Sequence, residues 1–173
     1  QSHPEEPLEP RHSTGSWRGE HVEPREIARL LDQGAAKAAA YAVEHSPFYR
    51  ERFAAAGLTP KDITSARDLE RLPPTTKHDL SLHGERVWCV PWQRVVDVVT
   101  TTGTTGEPTL YPLTEGDIRR LGYNEFLSFR CVGLAPEDVV LVAVTMDKCF
   151  MAGLAYYEGL RRIGAASARV GSG

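Results

Sequence analysis

Cysteine is scarce in this chain and badly spaced for chemistry. The three thiols of the 173 residues, Cys89, Cys131 and Cys149, form no CxxC pair, which argues against a zinc knuckle or a thioredoxin-like redox centre. Their odd number and wide spacing argue against a disulfide framework, so a reducing, cytoplasmic setting is expected. Long apolar runs are missing too. No stretch approaches the roughly 18 residues of a membrane-spanning helix, and the opening residues Gln1 to Glu6 are acidic where a secretion signal is basic and then apolar. No membrane contact is expected. Positive charge is also in short supply: 20 Lys and Arg stand against 23 Asp and Glu, a net charge of −3, which removes the electrostatic footing for binding nucleic acid. With 41% hydrophobic and 25% charged residues, the chain still has the make-up of a folded globular domain. Its length suits one domain or part of a larger one.

Residues 1–26 hold four of the 12 prolines, six glutamates and three of the six histidines, with almost nothing apolar to bury, and read as a mobile leader. His3, His12 and His21 share no metal-ligand spacing and receive no role; no metal-ligating residue is assigned in the chain. From Ile27 the pattern turns helical, with Ile27, Leu30, Leu31, Ala35, Ala38, Ala39 and Ala42 on one face as far as about Glu44. Ser46-Pro47 starts a second helix, with Phe48, Tyr49 and Phe53 apolar and Gly57 as its stop. Ser65 to Asp68 and Thr76 to Asp79 are capping boxes opening short helices, and Pro73-Pro74 breaks the chain between them. Residues 27–84 are therefore expected to be a helical cluster packed over a sheet edge.

Residues 85–173 alternate strand and helix. Strands are expected over 95–99 and 109–112, and a capping box at Thr114 to Asp117 opens a helix carrying Ile118, Leu121, Phe126 and Leu127. The unbroken run Val139 to Val144 reads as a strand buried on both faces of a largely parallel sheet. A helix from about Met151 to Ile163, ended by Gly164, leads into a last strand between 165 and 170. The fold class is α/β: an N-terminal helical cluster followed by alternating strands and helices.

The chemistry concentrates between the two strands of 95–99 and 109–112. There Thr101, Thr102, Gly103, Thr104, Thr105, Gly106 and Pro108 form a loop rich in hydroxyls. Glycines let backbone N–H groups converge on a phosphate without an intervening Cβ, and threonine hydroxyls add donors. The spacing matches neither the P-loop, which needs a Lys, nor the dinucleotide fingerprint, which needs a glycine at position 101. On chemistry alone the loop is open to two readings, a phosphate cradle or a hairpin turn.

The octapeptide Thr101 to Pro108 resembles the signature loop of the adenylate-forming acyl-CoA synthetases, and Ser46-Pro47-Phe48-Tyr49-Arg50 with Leu69 to Asp79 resembles the N-terminal region of the phenylacetate-CoA ligase family. Gly159 to Ala165 resembles the same family's helix leading to its next strand, so the resemblance covers about residues 40–173. It implies part of the large N-terminal domain of an adenylate-forming enzyme, an acid-thiol ligase that forms AMP. ATP and a carboxylate, aryl or arylacetic, would give an acyl-adenylate, and the thiol of coenzyme A would displace AMP. The loop would hold the β- and γ-phosphates. Mg²⁺ would be bound mainly by residues outside this chain, along with the family's remaining catalytic groups, so no catalytic residue is assigned and the chain alone is expected to be inactive. Glu107 and Thr109 depart from the family, in which Lys is common at these positions. Met146, Phe150, Met151 and Gly153, after a buried strand, are the expected acyl-pocket residues; the competing reading makes Phe150, Met151 and Leu154 the core face of a helix. Two other functions are kept open: an adenylating enzyme with an amine or carrier-protein acceptor, and a catalytically silent binding or assembly module. An unpaired sheet edge favours self-association, so a homodimer is among the expected partners.

Overall fold

The computed structural model describes residues 22–100 and 109–171. The expected leader lies outside the described residues as far as residue 21. Helix α1, Pro24–His45, begins three residues before the apolar periodicity does, because Pro24 takes a first-turn position where its missing N–H costs nothing and Glu26 meets the positive end of the helix dipole. Only its C-terminal half buries any of the expected face, and there Ala42 is half-buried and Ala38 exposed. Ala35 and Ala39 are buried, whereas Ile27, Leu30 and Leu31 are 45%, 51% and 59% exposed. The alanines let neighbouring segments come close, and α2 (Pro47–Ala55) with the short helical turns Pro60–Asp62 and Ala66–Arg71 packs there and not on the first two turns. The resulting core joins Ala35 and Ala39 to Phe53, Leu58 and Ile63.

Local signals fix the joints of this cluster. Ser46 caps α2 by accepting from Tyr49 N–H at 3.3 Å while its fully buried hydroxyl donates to the Arg86 carbonyl at 2.9 Å. Gly57 ends that helix at φ 65°. Helix α3, Lys77–His83, carries the expected box between Thr76 and Asp79. Arg52 ties α2 to the start of α3 through an ion pair with Asp79 at 3.3 Å and a donation to the Pro74 carbonyl at 2.8 Å.

The remainder is mixed α/β, as expected, but its strands form two small sheets. Strands β1 (Val95–Thr100) and β2 (Leu110–Thr114) pair antiparallel with an irregularity between Val95 and Asp97. Helix α4, Glu115–Cys131, follows with its capping box at Thr114 and Asp117. Strands β3 (Val139–Val142) and β4 (Ala166–Arg169) pair parallel across helix α5, Met151–Ile163, a complete βαβ unit. The two-sided burial expected for 139–144 is not found. The strand ends at Val142, and Val139 and Leu141 are 73% and 68% exposed while Val142 is buried. Alternate residues face opposite sides of a strand, and α5 packs on one side of this pair only, so the described chain leaves the other side open.

Candidate functional site

The seven loop residues singled out above, Thr101 to Gly106 and Pro108, lie outside the described residues. Their flanks are described. Thr100 ends β1, and Thr109, 4% exposed, precedes β2. Thr100 is held from an unexpected direction: its N–H donates to the Cys149 carbonyl at 3.0 Å and its hydroxyl to the Lys148 carbonyl at 3.2 Å. It also forms an isolated parallel bridge with Phe150. The end of β1 and the segment expected to bind the acyl group therefore meet directly.

That segment is tightly folded. The Thr145 hydroxyl accepts from Asp147 N–H at 3.0 Å, and the Asp147 carbonyl accepts from Phe150 N–H at 3.1 Å. Between these bonds Lys148 and Cys149 stand at φ 55° and 57°, in the left-handed region that costs a residue with a Cβ about 1–2 kcal/mol. Gly153 sits beneath the Thr145 carbonyl, where a Cβ would lie 2.4 Å from the oxygen. Only glycine fits there.

The four pocket candidates divide within this frame. Gly153 is buried and Phe150 half-buried, while Met146 and Met151 are 36% and 42% exposed. The Met146 sulfur lies 4.0 Å from the Arg169 guanidinium, which also covers the Tyr157 ring at 5.0 Å. The alternative core-face reading is not favoured for Met151, which is exposed at the helix start.

Sequence reasoning missed a concavity elsewhere. A cleft of about 360 Å³ opens between the helical cluster and β2, with Tyr49, Thr75, Trp88, Thr109 and Tyr111 among its lining. The Thr75 hydroxyl lies 3.3 Å from the Tyr49 hydroxyl at its wall. Its parts come from segments more than 20 residues apart, so no local pattern could have announced it. The lining Trp88 stacks on Trp92 with ring centroids 5.6 Å apart.

Titration marks the caps more than the site. Hydrogen bonds from the Thr64 and Ser65 backbone and hydroxyls bring Asp68 down to about 2, and those from Thr76 lower Asp79. Burial opposes ionisation of Asp117, and the bonds from Thr114 with the Arg120 charge outweigh it. Burial raises the Cys89 thiol. Among the described residues no group of three or more His, Cys, Asp or Glu stands close enough to hold a metal ion. None of the described helices is long and apolar enough to cross a membrane.

No family model matches the chain. It is 36% identical over 126 residues to a phenylacetate-coenzyme A ligase of Escherichia coli (strain K12), which covers 72% of this chain and 29% of that protein. A phenylacetate-coenzyme A ligase of Thermus thermophilus is 33% identical over 143 residues, 82% of this chain and 32% of that protein. Among solved structures, a 2-hydroxyisobutyryl-CoA ligase in complex with 2-HIB-AMP and CoA superposes with a TM-score of 0.79 at 29% identity, over 88% of this chain and 33% of that one. The chain spans about a third of the length of the relatives it matches.

Proposed function

We propose, from the premise that the chain belongs to the phenylacetate-CoA ligase family of adenylate-forming enzymes, that it supplies the phosphate loop and part of the acyl site of an ATP-dependent acid-CoA ligase. The observation that carries this reading is the meeting at Thr100, where the strand leading into the Thr/Gly loop is hydrogen-bonded to the backbone of the acyl segment. In adenylation a carboxylate oxygen attacks the α-phosphorus of ATP and pyrophosphate leaves. In the second step the sulfur of coenzyme A attacks the acyl carbonyl and AMP leaves. The chain's part in the first step is positional and electrostatic: N–H and hydroxyl donors of Thr101, Thr102, Thr104 and Thr105 hold the polyphosphate while Gly103 and Gly106 let it approach. Phe150 and the two methionines offer the acid a deformable apolar wall, which suits an aryl or arylacetic substrate.

ATP–pyrophosphate exchange by the ligase carrying this chain, with phenylacetate, benzoate and 2-hydroxyisobutyrate compared, tests the reading. Exchange should depend on the acid and be fastest with an aromatic one. Gly103→Val, which sets a branched side chain where phosphate must approach, should lower exchange by two or more powers of ten, each worth about 1.4 kcal/mol, with thermal unfolding unchanged. Undiminished exchange in that variant would return the loop to a hairpin turn.

A further inference from the structure

Lys148 and Cys149 are the two non-glycine residues with positive φ among those described, and they are consecutive. Such conformations persist only where the surroundings over-determine them. Here both strained residues give their carbonyl oxygens to one partner, Thr100, at 3.2 and 3.0 Å, and the next residue, Phe150, bridges to it. On its other side the turn is braced by the Asp147 and Phe150 hydrogen bonds and by Gly153 closing beneath Thr145. A tight hook therefore reaches from the acyl segment and ends on the last residue of β1.

We propose that this clamp couples the acid and nucleotide halves of the adenylation site, with Thr100, Lys148 and Cys149 as positioning residues. The inference rests on the adenylation reading above. Its physical content is a two-state element: the turn is left-handed with both bonds to Thr100, or relaxed with neither. On this proposal a carboxylate seated against residues 146–153 favours the left-handed state, and the end of β1 follows. Coupling of this kind is reciprocal, each ligand tightening the other by the same factor.

The test is calorimetry on the ligase carrying this chain, titrated with α,β-methylene-ATP, which cannot be cleaved to an adenylate. Titrations are run with and without phenylacetate, or whichever acid supports the fastest exchange. In the unaltered ligase the saturating acid should tighten nucleotide binding about tenfold. Thr100→Val keeps the strand, the shape and the N–H bond to Cys149, and removes only the hydroxyl bond to Lys148. It should bring that factor to within about twofold of unity, with the ligase still fully folded at the assay temperature. Cys149→Val, a β-branched residue that avoids positive φ, should cause the same loss. A purely structural role would instead lower the melting temperature and leave the coupling factor of the folded ligase at its unaltered value. Full coupling retained in both variants, or no coupling in the unaltered ligase, overturns the clamp; absence of acid-dependent exchange in the unaltered ligase takes the adenylation reading down as well.

Discussion

Four donors converge on one carboxylate oxygen of Asp68: the N–H groups of Thr64 and Ser65 at 2.9 and 2.8 Å, and their two hydroxyls at 3.0 Å each. Donors aimed at the charged form hold it ionised down to about 2, against 3.8 for an ordinary aspartate. A folded-state value below the unfolded one means that this contribution to stability is complete above about pH 4 and is lost as pH falls through about 2. Asp62, Asp79 and Asp117 are lowered in the same way, and each adds to the slope. Asp68→Asn should therefore flatten, without abolishing, the fall in urea midpoint between pH 4 and pH 2. Superimposable curves for the two proteins in that window would show that the four donors do not stabilise the ionised form, as would a carboxyl carbon of Asp68 titrating near 3.8 by NMR.

The α4–α5 contact shows how far an element's fate depends on one glycine. A Cβ built on Gly159 of α5 would lie 2.5 Å from the Glu125 Cβ and 3.1 Å from its carbonyl carbon in α4. Alanine raises helix propensity by about 1 kcal/mol, but forcing two packed helices apart costs about 1–3 kcal/mol. Because the obstructing atoms include backbone, the steric cost wins. Gly159→Ala should destabilise by up to about 2 kcal/mol, whereas Gly34→Ala in α1, where nothing lies within 4 Å, should stabilise by about 0.5–1 kcal/mol. Chemical denaturation of both variants checks the pair of opposite signs. The elements themselves were legible where the signal is local: the Ser46 cap, the boxes at Ser65, Thr76 and Thr114, and the Gly164 stop of α5 are each written within a few residues. Facing was not. Periodicity aligned Ile27, Leu30 and Leu31 with Ala35, and an apolar run implied two-sided burial at Val139 to Val144, but what covers a face is decided by distant segments. The union of Thr100 with Lys148 and Cys149 spans 48 residues and carries no sequence period, and the strained φ values fall on Lys and Cys, not on the glycine that would have marked them.

At the scale of the whole molecule, the proposed adenylation reading asks how much of that reaction these 173 residues can perform. Bringing a carboxylate onto the α-phosphate requires the negative charge of the triphosphate to be offset while pyrophosphate departs. The chain is net negative, its loop from Thr101 to Pro108 contains no Lys or Arg and does contain Glu107, and the described residues hold no acidic cluster fit for a metal ion. Neutral N–H and hydroxyl donors can orient a polyphosphate but offset its charge poorly, and the chain spans only about a third of the relatives that it matches. The purified chain should therefore bind ATP with a dissociation constant on the order of millimolar, worth about 4 kcal/mol, and should form no AMP in the presence of a carboxylate. Isothermal titration and a radiolabelled AMP assay with phenylacetate measure the two quantities. Micromolar affinity would show that the donors alone suffice to bind, and acid-dependent AMP above the no-enzyme control would show that the charge is offset by groups within this chain.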